Sequence, residues 1–128
     1  VLENRLVSLM NEFDKAASAF RYYEKSADIN HEMENAAKIV CPAAQFGEGW
    51  LIPAEFVSFA QRGINAAVSL QPFGCIANHV ISKGIERKVK KMYPDMNLLF
   101  LDFDGGVSEV NVLNRLHFLA RQVKMAND

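Results

Sequence analysis

Twice in its second half the chain runs from a short apolar stretch through a glycine-bearing turn into an amphipathic helix, and this repeated order constrains the fold more than any other feature. The first unit is Ala66-Ala67-Val68-Ser69-Leu70, then Gln71-Pro72-Phe73-Gly74-Cys75, then a stripe of Ile81, Ile85, Val89 and Met92. The second is Asn97 to Phe103, then Asp104-Gly105-Gly106, then a stripe of Val110, Leu113, Leu116, Ala120 and Val123. Strand-length apolar runs followed by stripes of helical period are the pattern of β-α units. Their short connections predict parallel strands joined by right-handed crossovers. Asn97 to Phe103 is nearly all apolar, as in a strand covered on both faces.

Ahead of these units, Asp28, Asn30 and the charged run to Glu34 read as a loop and a short helix. Ala37-Lys38-Ile39-Val40-Cys41 then reads as a strand ended by Pro42. Gly47-Glu48-Gly49-Trp50 makes a tight turn. A helix follows, with Pro53 near its start, Phe56, Val57 and Ala60 on one face and Gly63 as its stop. At the N-terminus Leu2, Leu6, Leu9, Phe13, Ala16, Phe20 and Tyr23 alternate spacings of four and three, a heptad seam. A helix from Leu2 to Lys25 would be about 36 Å long. Val7 and Met10 widen the stripe enough to pack on the chain's own sheet, while a seam this regular also suits docking to a parent chain or a homodimer through this helix.

The sum is a three-layer α/β sandwich, a short, mostly parallel sheet with helices on both faces and a long N-terminal helix. It is a single domain over residues 1–128, with the long helix over 1–26 and a βαβαβα core over 37–125. The opening Val and the helical sequence directly behind it suggest a piece of a longer protein.

Composition narrows the partners. Fourteen basic residues against fifteen acidic leave a net charge of -1, without the basic footprint of a nucleic-acid or anionic-membrane binder. Apolar runs such as Leu98 to Leu101 fall far short of the roughly 20 residues of a membrane span. Two cysteines make no disulfide framework, which predicts reduced thiols and a cytoplasmic setting.

In a parallel sheet the strand C-termini share one rim, and chemistry gathers there. Cys41-Pro42, Gln71 to Cys75 and Asp102 to Gly106 are expected along it. Cys75 stands between a strand and a helix start, where unpaired N–H groups favour a nucleophilic or metal-ligating thiolate; the alternative is a small buried hydrophobe. Cys41 is a weaker candidate of the same kind. His79 follows Cys75 by four residues, so a continuous helix would put both on one face. Zinc and iron–sulfur clusters want about four ligands, so Cys75 and His79 would need Cys41 or groups from elsewhere. Asp102 and Asp104 sit two apart and would project to the same side of the strand end, a spacing suited to Mg²⁺ or a general base. Gly105 and Gly106 allow backbone to approach a ligand, and Ser108 and Glu109 open the last helix, with Asn111 one turn in. His31 and His117 read as surface residues.

Four separated motifs carry a family resemblance: Gly47-Glu48-Gly49-Trp50; Gln71-Pro72-Phe73-Gly74-Cys75-Ile76-Ala77-Asn78-His79-Val80; Lys83-Gly84; and Ser108-Glu109-Val110-Asn111 with Asn114-Arg115. In this order and spacing, over about Ala37 to Val123, they resemble the C-terminal part of large acyl-CoA dehydratase activase-related proteins, long relatives of the 2-hydroxyglutaryl-CoA dehydratase system. The resemblance implies a dehydratase-like accessory domain in ATP-driven, iron–sulfur-dependent electron transfer for 2-hydroxyacyl-CoA dehydration. It makes Cys75 a ligand of a 4Fe-4S cluster completed by other domains or subunits, with Gln71, Asn78, His79, Asp102, Asp104, Gly106, Ser108, Glu109 and Asn111 around the pocket. The implied partners are the remaining modules of the parent protein, dehydratase subunits and acyl-CoA. Ile76-Ala77 stands where the family has Leu-Pro, and Gly105 where it has Pro, which loosens both turns. A rival, shorter resemblance runs from Leu98 to Val107, similar to the first motif of haloacid-dehalogenase-type phosphatases; it would make Asp102 the nucleophile and Asp104 the acid/base of a Mg²⁺-dependent phosphatase. A non-catalytic docking module is the remaining reading.

Overall fold

The computed structural model describes residues 2–21, 23, 25, 28–44 and 47–127. Among them the chain is a mixed α/β fold of five α-helices, one π-helical turn and a two-stranded parallel sheet. The elements in order are α1 (Leu2–Ala17), α2 (Ile29–Ile39), α3 (Leu51–Gln61), β1 (Ala66–Pro72), the π-helical turn (Ala77–Ser82), α4 (Lys83–Met92), β2 (Asn97–Phe103) and α5 (Glu109–Asn127).

Both β-α units fold as their patterns require. β1 and β2 pair in parallel, with Ala67 beside Leu98, Ser69 beside Phe100 and Gln71 beside Asp102. Ala67, Ser69 and Gln71 are buried and the alternate Val68 and Leu70 exposed, so β1 is covered on one face only. On that face Ala67 and Phe100 join Ile39 of α2, Phe56 and Val57 of α3, Ile85 and Val89 of α4, and Met96 in the core. The rings of Phe56 and Phe100 meet edge to face at 6.3 Å. The second face is covered over β2 alone: Leu99 borders a small cleft with Phe118 and Leu119 of α5, and Leu101 is buried. Arg115 secures α5 by donating to the Phe100 carbonyl at 2.7 Å.

Three expectations are corrected. The strand expected over Ala37 to Cys41 is the end of a helix, α2. Asp28 caps it by accepting from the Asn30 N–H, and Glu32, Asn35, Ala36 and Ile39 recur at helical spacing on the face packed against α3. The β-branched Ile39-Val40 mimicked a strand, and only Val40 is extended, as the residue past the helix end. Consequently Cys41 ends no strand, and the predicted rim holds two segments rather than three.

The long first helix stops at Ala17. The chain turns over Ser18 to Arg21, and Tyr23 comes back onto it, its ring edge-on to Phe13 and its hydroxyl donating to Asp14. Of the span expected to be helical, Val1, Tyr22, Glu24 and Ser26 lie outside the described residues. The α5 face expected to be buried is only partly so: Val110, Leu113 and Ala120 are exposed, and Leu116 and Val123 are half-buried.

Between α2 and α3 runs a polar chain. The Ser58 hydroxyl donates to Glu32 Oε1, Asn35 Nδ2 donates to Ser58, and Lys38 and Gln61 both donate to Asn35 Oδ1. The second Glu32 oxygen is buried without a partner. Burial first, and the nearby Glu32 charge second, raise the pKa of Glu55.

No helix among the described residues is long and apolar enough to cross a membrane.

Candidate functional site

The site is built where β1 ends. Pro72 closes the strand, Gly74 takes a positive φ of 78° that other residues rarely adopt, and the Cys75 N–H bonds back to the Pro72 carbonyl. The Phe73 N–H donates to the Phe103 carbonyl, which ties this loop to the end of β2. The chain then enters the π-helical turn. Such widened turns are rare and often sit at functional sites; here the turn carries Asn78 inward and His79 to a half-buried position.

Three side chains gather around Cys75. Asn78 Nδ2 donates to Cys75 Sγ at 3.1 Å, and the thiol points to Glu48 Oε1 at 3.9 Å. Glu48 comes from the Gly47-Glu48-Gly49-Trp50 turn, where Gly47 has a φ of 58°. Gln71 is fully buried; its amide N–H donates to the Asn78 carbonyl at 3.0 Å, and its own Oε1 has no partner. Beneath the turn the buried hydroxyls of Ser69 and Ser82 pair at 3.0 Å.

A charged cluster adjoins this one. Asp102 accepts from Lys83 Nζ at 3.0 and 3.3 Å and lies 3.7 Å from His79 Nδ1. The Lys83 bond lowers the pKa of Asp102, assisted by the charges of Lys83, His79 and Arg115, although desolvation opposes them. A carboxyl depressed in this way stabilises the fold above its ordinary value of 3.8 and loses that contribution as pH falls through the lower folded value. In Lys83→Met, a carboxyl-detected NMR titration should show the Asp102 midpoint moving up toward 3.8. An unmoved midpoint would mean that Lys83 does not set it.

The remaining candidates lie apart from this cluster. Asp104 lies past the end of β2 rather than on the strand sharing a side with Asp102, and its Oδ1 accepts from the Gly106 N–H at 2.7 Å. Gly106, Ser108, Glu109 and Asn111 are exposed at the entry to α5, and among the described residues no side-chain bond links them to Cys75. Cys41 is exposed beyond α2. His31 and His117 are exposed, as expected.

Lys83 and Glu48 were missed as site residues. Lys83 carried a readable signal, since it repeats the four-residue step from Cys75 to His79. Glu48 stood only within the Gly47-Glu48-Gly49-Trp50 motif, and its meeting with Cys75 was not legible because only the fold brings it across from another segment.

Chemically the cluster offers one thiol with an amide donor on its sulfur, beside a carboxylate and an imidazole–carboxylate–ammonium group. Among the described residues no three His, Cys, Asp or Glu side chains are grouped to hold a metal ion by themselves. The donor set fits a single thiolate ligand to a shared centre, with a hydrogen bond to sulfur of the kind that tunes iron–sulfur sites. No family model, curated protein or solved structure matches this chain.

Proposed function

We propose that the chain is a dehydratase-like accessory domain of an activase-related protein, serving ATP-driven, iron–sulfur-dependent electron transfer for 2-hydroxyacyl-CoA dehydration. The observation that carries this reading is where the separated motifs meet. Glu48 from the first meets Cys75, Asn78 and Gln71 from the second in one set of contacts, and His79 from the second and Lys83 from the third meet on Asp102 in an adjoining set at the same strand ends. Arg115, from the fourth, anchors α5 to β2.

In this reading Cys75 is one ligand of a 4Fe-4S cluster, whose other ligands come from further modules or dehydratase subunits. The cluster supplies one-electron transfer when bound. Asn78 holds the sulfur's hydrogen bond, and Gln71 fixes the turn that carries Asn78.

The test is anaerobic reconstitution with iron and sulfide, of the chain alone and together with its parent modules. Bound iron and the visible charge-transfer absorption are expected to fall to background in Cys75→Ser. Wild-type protein that stays colourless in both settings overturns the assignment.

A docking module is the second reading. It is favoured by the apolar side chains left open on α1 and on the uncovered face of β1.

A further inference from the structure

α1 is an amphipathic helix that makes no substantial packing contact with the other elements. Its seam faces solvent: Leu2 is 74 % exposed, Leu6 54 %, Leu9 62 % and Phe13 63 %. Independently of the function proposed above, we propose that this seam pairs with the same seam of a second copy of the chain, the two helices antiparallel about a twofold axis.

The charges select that occupant. Leu6 and Phe13 are equivalent positions of the heptad, and Arg5 and Glu12 stand immediately before them on the same flank. With the helices antiparallel, four layers form: Leu2 on Phe13 of the second copy, Leu6 on Leu9, and the two repeats of these that symmetry requires. In that register Arg5 faces Glu12 of the second copy, and Glu12 faces its Arg5. Two opposite-charge pairs therefore flank the apolar layers.

A parallel pairing has no such match. It would place Arg5 beside Met10 and Glu12 beside Ala17, leaving both charges without an opposite partner across the seam. Antiparallel packing also sets each helix N-terminus against the other's C-terminus, where the dipoles attract. The layers from Leu2 to Phe13 span about 16 Å. So short an interface, below the size of a standard protein–protein contact, predicts weak, concentration-dependent association.

Sedimentation velocity on the whole chain, from about 5 to 500 µM, tests this. The expected result is reversible exchange between 14.4 kDa and twice that mass. Leu9→Lys should abolish the dimer, because it enters two of the four layers. Arg5→Glu or Glu12→Arg alone should weaken it about tenfold, and the double reversal should restore it. These side chains are exposed, so an unchanged circular dichroism spectrum shows that each variant is folded. A monomer throughout, a dimer that survives Leu9→Lys, or a double reversal no tighter than the single ones overturns the proposal.

Discussion

Phe100→Ala is expected to cost about 3–4 kcal/mol and to lower the melting temperature by about 10–15 °C. Phe100 lies on the covered face of β2, beside Ser69 of β1, and its ring packs edge to face with Phe56 of α3. It thereby joins the sheet to the helix layer. Truncation removes the apolar transfer energy of the ring and leaves a cavity that a two-stranded sheet has no third strand to close. Against the roughly 5–15 kcal/mol that holds a typical domain folded, this is a large share. Phe118→Ala is the control: that ring is 69 % exposed on α5, and its loss should cost less than about 0.5 kcal/mol. Urea denaturation of both variants followed by circular dichroism measures the contrast. Equal effects would mean that the core is not centred where Phe56 and Phe100 meet.

The second large effect is expected at Gln71, in a paired comparison. Gln71→Ala should cost about 3 kcal/mol, because it empties a fully buried site and leaves the Asn78 carbonyl without its donor. Gln71→Leu keeps most of the volume and removes the amide oxygen that has no partner, so its cost should fall to about 1 kcal/mol, set by the stranded carbonyl. The difference separates packing from hydrogen bonding at one position. In both variants the π-helical turn keeps the Ser69–Ser82 pair but loses the tie from Gln71 to the Asn78 carbonyl, so the Asn78 amide is held less firmly against Cys75. The rate of Cys75 alkylation by a thiol reagent should therefore change in Gln71→Leu, although most of the stability is kept. An alanine variant no less stable than the leucine variant would show that the buried volume at Gln71 contributes nothing.

The two clusters at the strand ends are carried by one helical segment: Lys83 and His79, which both address Asp102, lie on the segment that begins with the Asn78 turn. A change at Gln71 is therefore expected to reach the charged cluster as well as the thiol.

How much of this was legible in the sequence differed from one element to the next. The two β-α units could be read because their apolar runs and stripes each match a single period, and Gly63 and Gly74 stand where the backbone turns left-handed. α2 was misread because Ala36, Ile39 and Val40 suit either state locally; its contacts with Ser58 and Gln61 of α3 decide for the helix. Cys75, His79 and Asp102 were legible as rim residues from strand-end logic alone. Their connection through Lys83 was legible only in part: the four-residue step from Cys75 to His79 to Lys83 could be read, but not that the fold sets Asp102 of β2 against it.

The sequence by itself determined the two β-α units, their parallel pairing and the placing of Cys75 and Asp102 at one sheet edge, since these follow from local periodicity and the handedness of short crossovers. Only the tertiary structure decided that Glu48 meets Cys75, that Asp104 turns back on Gly106, and that the face of β1 and the seam of α1 stay open. Those outcomes depend on which distant segments compete for the same surface, a balance of packing energies that no local pattern encodes.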